Sequence, residues 1–164
     1  NTLQLAEHTI AEVEKWIIKE QFSYFDFLAK GCKQAQCFNY DCLGGLCLSA
    51  SIDDLGQCVK TKIQPFSDST MKTSSPLLIN NNEVIVWDND RYHKTFNSIS
   101  NSVENRAKFI VEFLCFEKMM AEVNSAEFKN KKNWSPVFRV TVKAYGNNPN
   151  NKVMLQSLFA VGSL

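Results

Sequence analysis

Six cysteines, two histidines and a short acidic triplet are the residues of this 164-residue chain whose chemistry could reach beyond packing. Cys32, Cys37, Cys42 and Cys47 recur every five residues, Cys58 follows, and Cys115 lies far downstream. Zinc prefers tighter ligand pairs with histidine help, and neither His8 nor His93 stands at ligand spacing from a cysteine. An even cysteine count without that spacing reads as a disulfide set made in an oxidising compartment. Six cysteines allow 15 pairings, so the connectivity stays open. The local bridge that chain geometry favours is Cys42–Cys47, because Leu43-Gly44-Gly45-Leu46 can fold back tightly.

The other candidates point away from catalysis. A catalytic thiol needs an exposed cysteine beside a histidine, which a crosslinked set does not offer. His8 belongs to the polar side of an amphipathic helix, next to Glu7. Asp88-Asn89-Asp90, shortly before His93, carries oxygen ligands of the kind calcium takes, but its composition is that of a strand-ending turn. Asp53-Asp54 with Gly56 reads the same way. The chain has no nucleophile elbow, phosphate loop, HExxH helix or dinucleotide fingerprint, and "GNNPNN" holds too little glycine to cradle a phosphate. No catalytic residue, cofactor or metal is expected. With 18 Lys+Arg against 17 Asp+Glu the net charge is +1, which removes the electrostatic reason for a nucleic-acid partner. Lys129, Lys131 and Lys132 read as a solvated loop.

What must position these residues is a single domain over 1–164, large enough to bury a core in which twelve phenylalanines weigh heavily. Leu3, Ala6, Ile10, Val13 and Ile17 are spaced as one apolar stripe of an α-helix. Asn1 with Gln4 suits a capping box. The helical pattern is expected over 1–30, with a register shift near Glu20 to Phe22, and Gly31 supplies its stop. At ~1.5 Å per residue such a rod would be about 40 Å long. Residues 31–82 read as cysteine-rich and polar loops, and 83–161 as the sheet region. There "EVIVWD" (83–88) is a short strand and "KFIVEFLCF" (108–116) a central strand buried on both faces. After Pro136, Arg139, Thr141 and Lys143 alternate with Val140, Val142 and Ala144 as a half-buried strand. Gly146 to Asn151 turns the chain, and Val153 to Val161 returns. The expected class is α+β, one long N-terminal helix packed on a three- to five-stranded antiparallel sheet. No stretch approaches the ~18 apolar residues of a membrane helix, and the first residues carry no secretory signal. An oxidised-looking chain without one suggests a mature form or a fragment.

Three segments together resemble the type IV minor pilins of the PilX/PilK kind. "LQLAEHTIAEVEKW" (3–16) looks like the downstream half of the pilin helix, with its Ala6-Glu7 pair. "NRAKFIVEFL" (105–114) is similar to the family's central strand. "FRVTVKAYGNNPNNKVMLQSLFAV" (138–161) is similar to its closing hairpin, with Arg139 and Thr141 outgoing, Gly146 before the turn, and Leu155-Gln156-Ser157 on the return. "CLGGLC" (42–47) resembles a short cysteine loop of some members. Pro149 in the turn, Lys152 at the start of the return strand and the many cysteines depart from the pattern.

The resemblance implies a pilin-like fold, no active site, and a minor subunit that primes pilus assembly and sits at or near the tip. It implies as partners other minor pilins, the major pilin and a large tip adhesin-like protein. Contact with a membrane would be made only through an N-terminal hydrophobic segment upstream of Asn1. Localisation would be the inner membrane and periplasm before assembly, then the extracellular pilus. Two alternatives share parts of the pattern: the tip pseudopilin of a type II secretion system, and a secreted disulfide-rich binding or adhesion module. A thiol or metal hydrolase is a more distant third.

Overall fold

The computed structural model describes residues 1–20, 38–39, 42–48, 76–79, 82–98, 106–118, 134–148 and 150–162. Helix α1 spans Thr2–Glu20. Asn1 caps it: its Oδ1 accepts the Leu3 N–H at 3.0 Å, and its carbonyl accepts the Leu5 N–H. The expected continuation of the helix to residue 30 lies outside the described residues, so the observed helix is 19 residues long.

The buried stripe of α1 is Thr2, Ala6, Thr9, Val13 and Ile17. It shares Ala6, Val13 and Ile17 with the expected stripe, but Leu3 turns outward at 42% exposure and Ile10 is only half-buried. The reason is close approach. Ala6 packs in one cluster with Ala107 and Ala144, and small side chains at 2 and 9 let the helix lie low on the sheet. Thr9 enters the core at no polar cost because its hydroxyl donates to the Leu5 carbonyl at 2.7 Å.

The main sheet has five strands. β1 (Leu46–Leu48), β5 (Ala107–Lys118), β6 (Trp134–Tyr145) and β7 (Lys152–Ala160) lie side by side in that order. β4 (Lys94–Thr95) pairs antiparallel with β5 at Phe109 and Lys108, next to the stretch taken by β1. A separate hairpin joins β2 (Pro76–Ile79) to β3 (Asn82–Ile85).

Several expectations are corrected here. The sheet is not wholly antiparallel, since β1 runs parallel to β5. Residues 31–82 are not all loop: they hold β1, which a tight turn brings to the β5 edge, and β2, which pairs with β3. "EVIVWD" is a strand only to Ile85, and Val86–Asp88 winds into a 3-10 turn that buries Val86 and Trp87. Pro136 lies inside β6 rather than ahead of it, opposite Phe116, and its carbonyl accepts the Val161 N–H at 3.1 Å. β5 is central and buried on both faces, which explains why its run is apolar on both sides except at Glu112.

Aromatic rings dominate the core between α1 and the sheet. Phe113 lies 5.0 Å from Phe116 and 5.9 Å from Phe138, and Phe38 lies 5.7 Å from Phe138, all in tilted or edge-on geometries. Such pairs contribute about 0.5–1.5 kcal/mol each beyond their buried area. A bulge at Leu114 shifts the register between Phe113 and Cys115 and sends Leu114 and Cys115 to the opposite side, where they meet Val137.

Candidate functional site

The residues singled out in the closing hairpin turn out to be the joints of the sheet. Arg139 stands opposite Glu112 on β5, both about 4% or less exposed. Its Nε donates to Oε2 at 2.6 Å and its Nη2 to Oε1 at 2.8 Å, a two-pronged ion pair. Thr141 stands opposite Gln156 on β7, whose Nε2 donates to the Thr141 hydroxyl at 2.9 Å. Lys143, also buried, holds its ammonium 5.7 Å from the Trp87 ring and 5.4 Å from the Tyr145 ring. Burial pushes the Lys143 ammonium below the usual lysine range, and the nearby Lys152 and Lys108 add to that. β6 is therefore buried on both faces, not one. The sequence carried a signal for this: Glu112 interrupts the apolar run of β5, and a carboxylate there demands a partner.

Ser157 and Leu155 face the helix. The Ser157 hydroxyl donates to the Glu14 carboxylate at 2.7 Å, tying the return strand to α1, and Leu155 packs on the core. Ala6 is fully buried and Glu7 exposed. Gly146 closes the hairpin through its N–H to the Asn151 carbonyl at 2.6 Å. A Cβ on Gly146 would stand 2.8 Å from the Thr2 hydroxyl, so glycine keeps the turn against the start of the helix.

The cysteine loop forms a second joint. Cys42 and Cys47 are bonded to each other around the turn Leu43–Gly45. Cys42, Gly44 and Gly45 all adopt positive φ, at 54°, 68° and 72°. A side chain on Gly45 would meet the Lys94 backbone N at 2.9 Å and the His93 Cα at 3.0 Å. The Gly44 N–H donates to the Arg91 carbonyl at 2.7 Å, and Asn39 brackets the loop through its amide to Leu43. Cys115 is disulfide-bonded, and Cys32, Cys37 and Cys58 lie outside the described residues.

Asp88 and Asp90 are exposed turn residues, organised by Asn89, whose side chain accepts the Arg91 N–H at 3.1 Å. Asp90 faces His93 Nε2 at 3.2 Å and Lys108 Nζ at 4.0 Å. His93 is buried, a role that sequence reasoning missed, and its Nδ1–H donates to the Val86 carbonyl at 2.8 Å. Among the described residues, no three His, Cys, Asp or Glu side chains converge to hold a metal ion. His8 is exposed on α1 and packs edge-on to Phe96 at 5.5 Å.

The arrangement binds strands and helix to each other, and outward it offers surfaces. Ile18 on the outer face of α1 and Leu3 at the edge of its buried stripe are both more than 40% exposed. Among the described residues, no helix is long and apolar enough to cross a membrane. The family model described as "Type IV pilus assembly protein PilX C-term" matches residues 45–161, more than half of the chain. No curated protein and no solved structure matches the chain.

Proposed function

Because the chain belongs to the PilX family of type IV pilus assembly proteins, we propose that it is a minor pilin that primes filament assembly and sits at or near the pilus tip. Membership makes it a pilus-associated component of the cell envelope. Its partners on this reading are other minor pilins, the major pilin and a large tip adhesin-like protein. The observation that supports it is the way α1 is held. One face is sunk onto β6 and β7, and Ser157 is bonded to Glu14, while Ile18 on the outer face and Leu3 at the edge of the buried stripe stay exposed. Apolar side chains on an outward helix face favour packing against the helices of neighbouring subunits.

Cells lacking the chain are expected to lose surface pili, measured as sheared filament and counted by electron microscopy. Ile18→Asp should reproduce that loss while leaving the folded domain intact by circular dichroism. Labelled chain should mark filament ends. Normal piliation in the deletion strain would sink the priming role. Loss of protein secretion with pili intact would instead favour the secretion pseudopilin.

A further inference from the structure

The two edges of the main sheet are finished differently. On one side β1 is three residues long, and Asn39 covers it, bridging to Cys47 and donating its N–H to the Leu46 carbonyl at 3.1 Å. Short strands and covering chain are how sheets avoid pairing with other proteins. On the other side β7 is nine residues long, keeps unbroken register with β6, holds no proline, and carries one charge, Lys152, at its first position. Among the described residues nothing pairs with its outer edge. The bonds of Gly146 to Asn151 and of Val161 to Pro136 fix the phase of the ladder. Alternation then turns the backbone groups of Val153, Leu155, Ser157 and Phe159 toward β6, and those of Lys152, Met154, Leu158 and Ala160 outward.

The side chains around this edge are also left open. Leu158 is the most exposed large apolar side chain among the described residues, at 51%. Val153, Leu155, Phe159 and Val161 pack on the core but are only partly buried, whereas Val140, Val142 and Ala144 on β6 are closed to water. Above the edge lies one flank of α1. Trp16 packs on Phe109 of β5 while Glu14 is bonded to Ser157 of β7, so the Glu14 flank looks toward the open side. Glu7, Ile10 and Ile18 share that flank by their helical spacing. Among the described residues, no cation pairs with Glu7 or Glu14.

We propose that β7 receives an extended, cationic segment of another protein as an added strand. The outward N–H and C=O groups supply main-chain pairing, and the side chains on either face select the sequence. Lysine or arginine on the helix side of the added strand meets Glu7 and Glu14, and apolar residues on its other side cover Met154 and Leu158. Charge decides against a second copy of this chain. Pairing β7 with its twin would bring a second Glu7 and Glu14 to the same seam, and like charges there oppose association. The inference goes beyond filament assembly and does not rest on it.

The test is a nitrogen-15 correlation titration of the oxidised chain with acetyl-Lys-Val-Lys-Val-Lys-Val-amide, whose alternation puts every lysine on one face of a strand. Its counterpart is the same peptide with glutamate for lysine. The amides of Met154, Leu158 and Ala160 should shift and exchange more slowly with solvent, while those of Leu155 and Phe159, already bonded to β6, change little. The lysine peptide should bind about tenfold more tightly, from two surface charge contacts turned from repulsive to attractive. Glu7→Gln combined with Glu14→Gln should cancel that preference, and it keeps an acceptor for Ser157. Leu158→Pro removes an outward N–H and no bond to β6, so it should abolish binding with the fold intact. Equal binding of the two peptides, or no protection of Met154 and Ala160 by either, overturns the proposal. So does protection of those amides on concentrating the chain alone, which would make the occupant a second copy.

Discussion

On its helix side β6 presents Phe138, Val140, Val142 and Ala144 to the core, while on the other side the same strand buries Arg139, Thr141 and Lys143. Both sides are closed to water. The helix side is held by apolar burial, which depends on volume and tolerates exchange of similar side chains. The opposite side is held by pairs, each needing its partner in register on another strand or loop: Glu112, Gln156 and Trp87. Apolar packing should therefore fail by degrees and the polar side by whole interactions.

Arg139→Met puts the largest strain on that contrast. It removes the guanidinium and leaves Glu112 buried without its bidentate partner, at an expected cost of about 3–5 kcal/mol in urea unfolding. Adding Glu112→Leu should restore stability to within about 1 kcal/mol of the parent, since a matched apolar pair of similar volume replaces an ion pair at little net cost. A single-variant loss no larger than that of a conservative Phe138→Leu change would erase the distinction between the two sides.

The disulfide loop sharpens the comparison from the edge of the sheet. It rests on the chain that covers the polar side, through Gly44 to Arg91 and Gly45 against His93 and Lys94. Replacing Cys42 and Cys47 by serine frees a loop with a sequence separation of 5. The chain-entropy cost of so short a loop is about 2 kcal/mol. Hydrogen exchange should rise first in residues 86–95, and the helix side should be spared.

How much of this was legible in the sequence follows the range of each signal. The helix as far as Glu20, the central strand and the turn of the closing hairpin have local periodicity or turn chemistry, and they stand where the residues indicated. The outward turn of Leu3 was not legible, because Thr2 and Leu3 compete for one edge of the stripe and only the depth of docking decides. Strand β1 is three residues long, and its parallel partner lies some sixty residues away, beyond any local pattern. Arg139 and Thr141 were visible as motif positions. Their chemistry was not, since it depends on a register that places Glu112 and Gln156 opposite them.

The covering chain also gives the polar side a pH dependence. Burial lowers the affinity of His93 for a proton below that of a free imidazole, opposed by its bond to Val86 and by Asp90, and Lys108 adds to the lowering. Since the folded value is the lower one, the unfolded chain takes up the proton first on acidification. The His93 contribution is thus fully present above about pH 6.5 and is lost as the pH falls toward the folded value. Stability should decline over that range by at most about 1.4 kcal/mol per pH unit for this one group. His93→Gln should flatten the slope in parallel thermal melts, and an unchanged slope would assign it to other groups.

The smallest expected effect tests the helix side where it departs from its own rule. Ser157 and Glu14 form a polar tie on a face otherwise built from apolar burial. Their bond is half-exposed and costs little to lose, so Ser157→Ala should lower stability by about 1 kcal/mol or less. Its consequence should be local rather than global. Leu155 and Phe159 still pack on the core, so the helix stays docked while its middle turn loosens, measurable as faster amide exchange near Glu14 with the β5–β6 ladder unchanged. If the tie instead behaves as the Arg139–Glu112 pair does, with global destabilisation and recovery on removing Glu14 as well, then burial of α1 alone is too weak to hold it. The helix side would then also be a paired interface.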